Sequence, residues 1–418
     1  MVTGIRGVCS FIENVNTEKY KELFSGADGV FKRNIAIWGE NIKYADREGC
    51  FICVCGNVEN TDFIKENFSI QDKNDENIIL SLYLEKGDGF IKYLEGNFIL
   101  IICDEIEKQI HIFTDTNSKS AVYFSAIDGA FIFSDAKCDI LNCPFFSPVL
   151  DKEGILKLFA LPCGYLGEEI KDIHRIAGNL YASINDEGAS VYSYKSSIQE
   201  KFAEKSIMEM PEKGDAFLYS GIKYGEIKTV IPPHIIASAV NKGRFTDGHL
   251  TVLQNCCSYN ELMKENYDFE SFVKEYENRI LCDLDFFSYK TANDIERAES
   301  FFILYNLYLQ SASLEAARLC NIYSVKDTST LLSPACLKGL FSSGRENIIN
   351  SSGRSLYLTQ DIQRITADLC KNPYAPIFEI VSRHRLFSSL YELEENYLLF
   401  LLRVNRFLSL FKPDLEVS

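Results

Sequence analysis

The stretch from Gly96 to Ser134 restricts the fold more than any other part of the chain. It opens with Gly96-Asn97-Phe98-Ile99-Leu100-Ile101-Ile102-Cys103-Asp104, a buried strand running into a turn. Gln109-Ile110-His111-Ile112-Phe113-Thr114-Asp115 answers it as a hairpin partner. Ala121-Val122-Tyr123-Phe124-Ser125 and Ala130-Phe131-Ile132-Phe133-Ser134 repeat the pattern around Asp128-Gly129, a hairpin turn signal. Upstream, Cys50-Phe51-Ile52-Cys53-Val54-Cys55 alternates and then meets Gly56, and residues 77–85 carry apolar side chains at helical spacing. Strands this dense, with helices between them, predict an α+β sandwich of sheets.

With 418 residues, two domains are the natural expectation. Apolar residues at 46% and charged residues at 24% fit a globular chain rather than a disordered one. The net charge is −16 and no block of consecutive lysines or arginines occurs, which disfavours nucleic acid and anionic membranes as partners. No run of about 18 apolar residues is present, so no membrane span is expected. The opening MVTGIRGVCSF lacks the basic stretch and apolar core of a secretion signal. Fourteen scattered cysteines then read as reduced core residues, and the cytoplasm as the expected compartment.

The texture changes after about residue 196, and from Tyr267 onward the chain reads as mostly helical. Residues 294–320 and 389–411 hold apolar faces over several turns. Pro211, Pro232-Pro233, Pro334, Pro373 and Pro376 punctuate this half, and residues 196–266 show only weak strands.

The order of segments in the first half resembles the amidotransferase domain of the asparagine synthetase family. Thr3-Gly4-Ile5-Arg6-Gly7-Val8 is similar to that family's opening Cys-Gly-Ile-x-Gly, and Cys55-Gly56-Asn57-Val58-Glu59-Asn60 to its Asn-Gly-Glu-Ile-Tyr-Asn. Asn74-Asp75-Glu76 resembles Ser-Asp-x-Glu, and Leu94-Glu95-Gly96-Asn97-Phe98 resembles Leu-x-Gly-x-Phe. Thr114-Asp115 with Val122-Tyr123-Phe124, then Ser134-Asp135-Ala136-Lys137, and finally Ile173-His174-Arg175-Ile176-Ala177-Gly178 continue the series in order. Fainter likeness to the late helices of the synthetase domain covers residues 290–345. The resemblance implies an α+β N-terminal domain over residues 1–195, an Ntn-hydrolase-like antiparallel sheet sandwich flanked by helices. It implies a mostly α-helical C-terminal domain over residues 196–418, the remnant of an α/β ATP-pyrophosphatase fold.

In that family an N-terminal cysteine attacks the glutamine amide, its free α-amine relaying the thiol proton. Here Thr3 stands at the nucleophile position and would serve only after removal of Met1 and Val2; otherwise it is an inert strand residue. The oxyanion hole needs the Asn side-chain amide and the following Gly N–H; Gly56 is in place, but Cys55 replaces the asparagine. A thiol donates poorly, and loss of that hydrogen bond costs about 100-fold or more in rate. The resemblance gives Asp75 to a substrate α-ammonium, Asn60 to buttressing the loop and Arg33 to a carboxylate clamp. Against these stand a helix N-cap for Asp75, a turn for Asn60 and a surface charge for Arg33. Cys53 and Cys55 share one strand face while Cys50 points to the other, and no second Cys-x₂-Cys pair exists, so no metal is expected.

The synthetase half would need a Gly-rich loop, Ser-Gly-Gly-x-Asp-Ser, to bind pyrophosphate. Its nearest counterpart, Phe217-Leu218-Tyr219-Ser220-Gly221-Ile222-Lys223-Tyr224, lacks the second glycine, the aspartate and the last serine. His111, His174, His234, His249 and His384 are isolated, with no ligand spacing. The leading expectation is therefore a degenerate family member that needs no cofactor and binds a protein or peptide partner, such as an intact synthetase homologue or a second copy of itself. Its expected setting is amide-forming or peptide natural-product biosynthesis. The alternatives are an active ATP-dependent, glutamine-hydrolysing amide ligase and a stand-alone amidase using Thr3.

Overall fold

A computed structural model describes residues 4–10, 29–32, 35–39, 42–115, 121–127, 129–160, 169–178, 180–193, 260–281, 359–393 and 395–416. The expected helix at 294–320, the fainter likeness at 290–345 and the weakly patterned 196–259 lie outside them.

The strands of the first half assemble into two antiparallel six-stranded sheets. The first sheet contains β1 (Arg6–Cys9), β2 (Gly29–Lys32), β3 (Ile35–Trp38), β8 (Ala121–Ile127), β9 (Ala130–Ser134) and β11 (His174–Ala177), ordered β11-β8-β9-β1-β3-β2. The second contains β4 (Lys43–Arg47), β5 (Cys50–Val58), β6 (Gly96–Asp104), β7 (Gln109–Thr114), β12 (Leu180–Asn185) and β13 (Gly188–Ser193), ordered β13-β12-β7-β6-β5-β4. The expected hairpins form as read: β6 pairs with β7 and β8 with β9. Gly129 takes the left-handed φ of +76° that the turn demands.

The apolar runs are long because nearly every strand is covered on both faces. On β5, Phe51, Cys53 and Cys55 join the core between the sheets, while Ile52 and Val54 join the core under the helices. On β6, Ile99 and Ile101 face inward and Leu100 and Ile102 outward. That outer core of the second sheet is closed by α1 (Thr61–Asn67), α2 (Asp75–Lys86) and a 3-10 helix (Gly87–Tyr93). The helix read at 77–85 is thus α2, extended by a turn in total.

The first sheet is covered differently. Val8, Trp38, Tyr123 and Ile132 of its outer face share a core with α3 (Lys137–Leu141) and α4 (Lys152–Ala160). The same core takes in α5 (Phe269–Leu281), α6 (Thr359–Lys371), α7 (Arg383–Ser389) and α8 (Glu395–Phe411). The segment expected as one helix over 389–411 is interrupted: the N–H groups of Glu392 and Leu393 turn back to the Ser389 carbonyl before α8 begins. After Pro413 the chain forms β14 (Asp414–Glu416), which pairs in parallel with β10 (Val149–Asp151). A proline cannot continue the α8 hydrogen bonds, so the chain is free to take that extended pairing. Lys137 pairs with the buried carboxylate of Glu169 and lies 5.3 Å from the ring of Phe407 on α8.

The described residues thus stack as helices, sheet, sheet, helices, with the late helices completing the last layer. Leu401 of α8 and Trp38, the single tryptophan, belong to that shared core and are both nearly inaccessible. Leu401→Ala should therefore lower stability by about 2–5 kcal/mol. Urea unfolding followed by Trp38 fluorescence checks this, because a tryptophan on the first sheet must report loss of a leucine on α8.

Candidate functional site

The far end of the β5–β6 pair carries the residues singled out for amide recognition. Register places Cys55 opposite Ile99, Gly56 opposite Phe98, Asn57 opposite Asn97 and Val58 opposite Gly96. Gly56 has φ +96°, and a Cβ there would lie 2.3 Å from the Asn97 carbonyl oxygen. Gly96 mirrors it, with φ +148° and the Asn57 carbonyl oxygen 2.3 Å from the Cβ it lacks. The two glycines bracket one close approach of backbones, which is why both positions exclude a side chain.

Asn60 locks the end of this pair. Its Nδ2 donates to the Tyr93 carbonyl at 2.8 Å, and its Oδ1 accepts from the Glu95 N–H at 3.0 Å. The Glu59 N–H adds a bond to the Glu95 carbonyl at 2.7 Å. Asn60 is therefore a buttress between two connections, not an isolated turn residue. Thr61 follows it and donates its hydroxyl to Oδ1 of Asp75 at 2.9 Å. Lys43 donates to the other oxygen, Oδ2, at 3.2 Å. Asp75 is the first residue of α2 and Asn74 occupies the cap position, so Asp75 is not the N-cap; its charge still suits the helix start.

Asn60 and Asp75 thus belong to one connected set, with Thr61 as the link, and Gly56 lies on the strand that leads into it. Thr3 and Arg33 lie outside the described residues. Cys55 stands apart from the set. Its thiol joins the inter-sheet core, whereas Lys43, Ala45 and Arg47 alternate onto the helix-bearing face, where Lys43 meets Asp75 and Arg47 meets Asp72 at 3.4 Å. The Cys53 thiol beside Cys55 is pushed well up by burial, as is that of Cys9 on the facing sheet. Cys50, on the outer face, is pushed up to about 12 by burial and then by Asp104. Such thiols stay protonated and serve as small apolar side chains. Among the described residues no three His, Cys, Asp or Glu side chains group as metal ligands.

Sequence reasoning missed Lys43, Thr61 and Arg47. The alternation in Lys43-Tyr44-Ala45-Asp46-Arg47 does place the two basic residues on one face, but only tertiary packing supplies their carboxylates. Near the start of β1, Ser134 donates to Asp139 at 2.7 Å, and Arg6 lies 3.8 Å from the same carboxylate. Gly56→Ala should cost at least about 2 kcal/mol through left-handed strain, beyond the clash with Asn97. A chemical denaturation midpoint measured beside that of Gly89→Ala, where an added Cβ meets nothing within 4 Å, checks it.

Residues 43–195, less than half of the chain, match the family model described as a glutamine amidotransferase domain. No curated protein matches the chain. Among solved structures, it is similar to the glutamine phosphoribosylpyrophosphate amidotransferase from B. subtilis complexed with ADP and GMP. That likeness has 13% identity and a TM-score of 0.30, covering 46% of this chain and 49% of that one. A second, described as the allosteric regulatory enzyme of purine biosynthesis, has 10% identity and a TM-score of 0.32, covering 57% of each chain. The chain thus spans about half the length of the structures it matches. The matched stretch, similar to a glutamine amidotransferase domain, includes Gly56, Asn60 and Asp75 and takes in the whole second sheet with β8, β9 and β11 of the first.

Proposed function

We propose that this chain is a degenerate relative of the asparagine synthetase family that runs neither half-reaction and acts as a binding or scaffold partner. Its setting would be amide formation or peptide natural-product assembly. The carrying observation is Cys55: the residue at the amide-donor position is a thiol wholly buried between the sheets. A buried thiol on that face offers an oxyanion no strong hydrogen bond, which removes about 100-fold or more in rate. Two further features support the reading. Asp75, the expected ammonium ligand, already holds the Lys43 ammonium and the Thr61 hydroxyl. Thr3 stands where the resemblance puts the nucleophilic cysteine.

In this reading residues 1–195 form the amidotransferase-like lobe, and residues 196–418 a reduced synthetase-like lobe that needs no nucleotide. Gly56 and Asn60 keep the loop's shape after its chemistry has gone. The partner is a protein or peptide, with an intact synthetase homologue as the first choice.

Purified full-length chain should release no glutamate from glutamine above a heat-denatured control, and should support no carboxylate-dependent exchange of pyrophosphate into ATP. Mixed with an intact homologue, it should co-elute on size exclusion and change that enzyme's kcat/KM. Glutamate release or pyrophosphate exchange by the chain alone would overturn the loss of catalysis. Separate elution and unchanged kinetics would sink the scaffold role.

A further inference from the structure

On the helix-covered face of the second sheet, His111 is a polar side chain set among aromatic rings. This residue of β7 is 4% exposed, and its ring stacks on Phe113 at 6.0 Å with Tyr83 and Tyr181 each 6.3 Å away. Its Nδ1 lies 3.8 Å from Oδ1 of Asp88, beyond hydrogen-bond reach, and has no hydrogen-bond partner. Asp88 sits in the first turn of the 3-10 helix, and its other oxygen accepts the Tyr181 hydroxyl at 3.1 Å. On another side Asp104 ends β6; it accepts the Tyr83 hydroxyl at 3.4 Å and caps its own turn through the N–H groups of Ile106 and Glu107.

The titratable groups around the imidazole are therefore Asp88 from the 3-10 helix, Asp104 from β6, Tyr83 from α2 and Tyr181 from β12. Cys50 of β5 joins them through its hydrogen bond with Asp104. Burial pulls the His111 pKa below its usual 6.5, against the opposing pull of Asp88 and then Asp104. The ring is accordingly neutral at neutral pH, enclosed by aromatic faces and touching neither carboxylate.

We propose that His111 is an acid-operated release for the 3-10 helix Gly87–Tyr93. A proton adds a charge to a ring whose Nδ1 has no hydrogen-bond partner, whose nearest carboxylate, Asp88, stands 3.8 Å away, and which meets almost no water. Lifting the 3-10 helix relieves that cost, because it admits water to the ring. The same helix ends at Tyr93, whose carbonyl accepts from Asn60, and Glu95 just beyond donates to Asn60. Release of the helix therefore loosens the buttress at the end of the β5–β6 pair. The sign follows from linkage: between its lowered folded-state pKa and 6.5, His111 binds fewer protons in the folded chain than in the unfolded one. Its contribution to stability is complete above 6.5 and is lost as pH falls through the folded-state value.

Hydrogen exchange of the full chain, read by mass spectrometry from pH 8 to pH 5 and corrected for intrinsic rates, tests this. Protection over residues 87–95 should fall by about tenfold or more on acidification, well beyond any change in the β6–β7 peptides. Exchange of the imidazole C2 hydrogen should give His111 a midpoint below 6.5. His111→Phe should hold residues 87–95 closed across the range. Asp88→Asn, at a side chain 40% exposed, leaves the core intact and should move the midpoint lower still. A His111 midpoint at or above 6.5, an unmoved midpoint in Asp88→Asn, or pH-independent protection in the unaltered chain would each overturn the proposal.

Discussion

Burial of the β5–β6 pair on both faces is the constraint on which the rest of the structure depends. Each strand sends alternate side chains into the inter-sheet core and into the helix-covered core, and a buried aliphatic or aromatic side chain stabilises by about 1.5–3 kcal/mol. A slip of one residue would exchange the two faces, moving Cys53 and Cys55 under the helices and Ile52 and Val54 between the sheets. The register is therefore fixed, and with it the meeting of Gly56 with Asn97 and of Gly96 with Asn57. The close backbone approach at the candidate loop follows from a register that packing sets elsewhere.

The two outer layers are built from different parts of the chain. Residues between β5 and β6 cover the second sheet, as a short-range insertion. The first sheet takes α3 and α4 from its own half and the rest of its cover from residues 260–281 and 359–411. Three contacts of different kinds reinforce that cover: the apolar core containing Leu401 and Trp38, the Lys137–Glu169 pair beneath Phe407, and the parallel β10–β14 pairing. The enclosed ion pair contributes less through attraction than through the cost of leaving either charge alone. The late helices are thus part of the support for the sheet on which β1 lies.

At the candidate site, backbone geometry and packing fix most of the positions. Gly56 and Asn60 keep positions that backbone geometry and hydrogen bonding demand whether or not an amide binds. Cys55 joins the inter-sheet core, which a small apolar thiol suits. Asp75 is neutralised from within, by Lys43, and joined to the Asn60 loop by Thr61. A half-exposed pair such as Lys43–Asp75 is weak in energy, yet it fixes where the carboxylate points. His111 is the opposite case: a polar ring placed for its packing, whose protonation the surrounding carboxylates only partly support.

The sequence alone determined the strands and hairpins of residues 50–134, the split of Cys50 from Cys53 and Cys55, and α2. These depend on alternation, turn residues and helical spacing, which are local properties of the chain. It also carried the order of segments that points to an amidotransferase sandwich. Only the tertiary structure decided that Lys43 answers Asp75, that Asn60 bridges Tyr93 and Glu95, that α8 begins at Glu395, and that the C-terminal residues pair with β10. Those outcomes depend on which distant side chains and backbones meet once the cores are filled, and no local pattern in the chain encodes a partner dozens or hundreds of residues away.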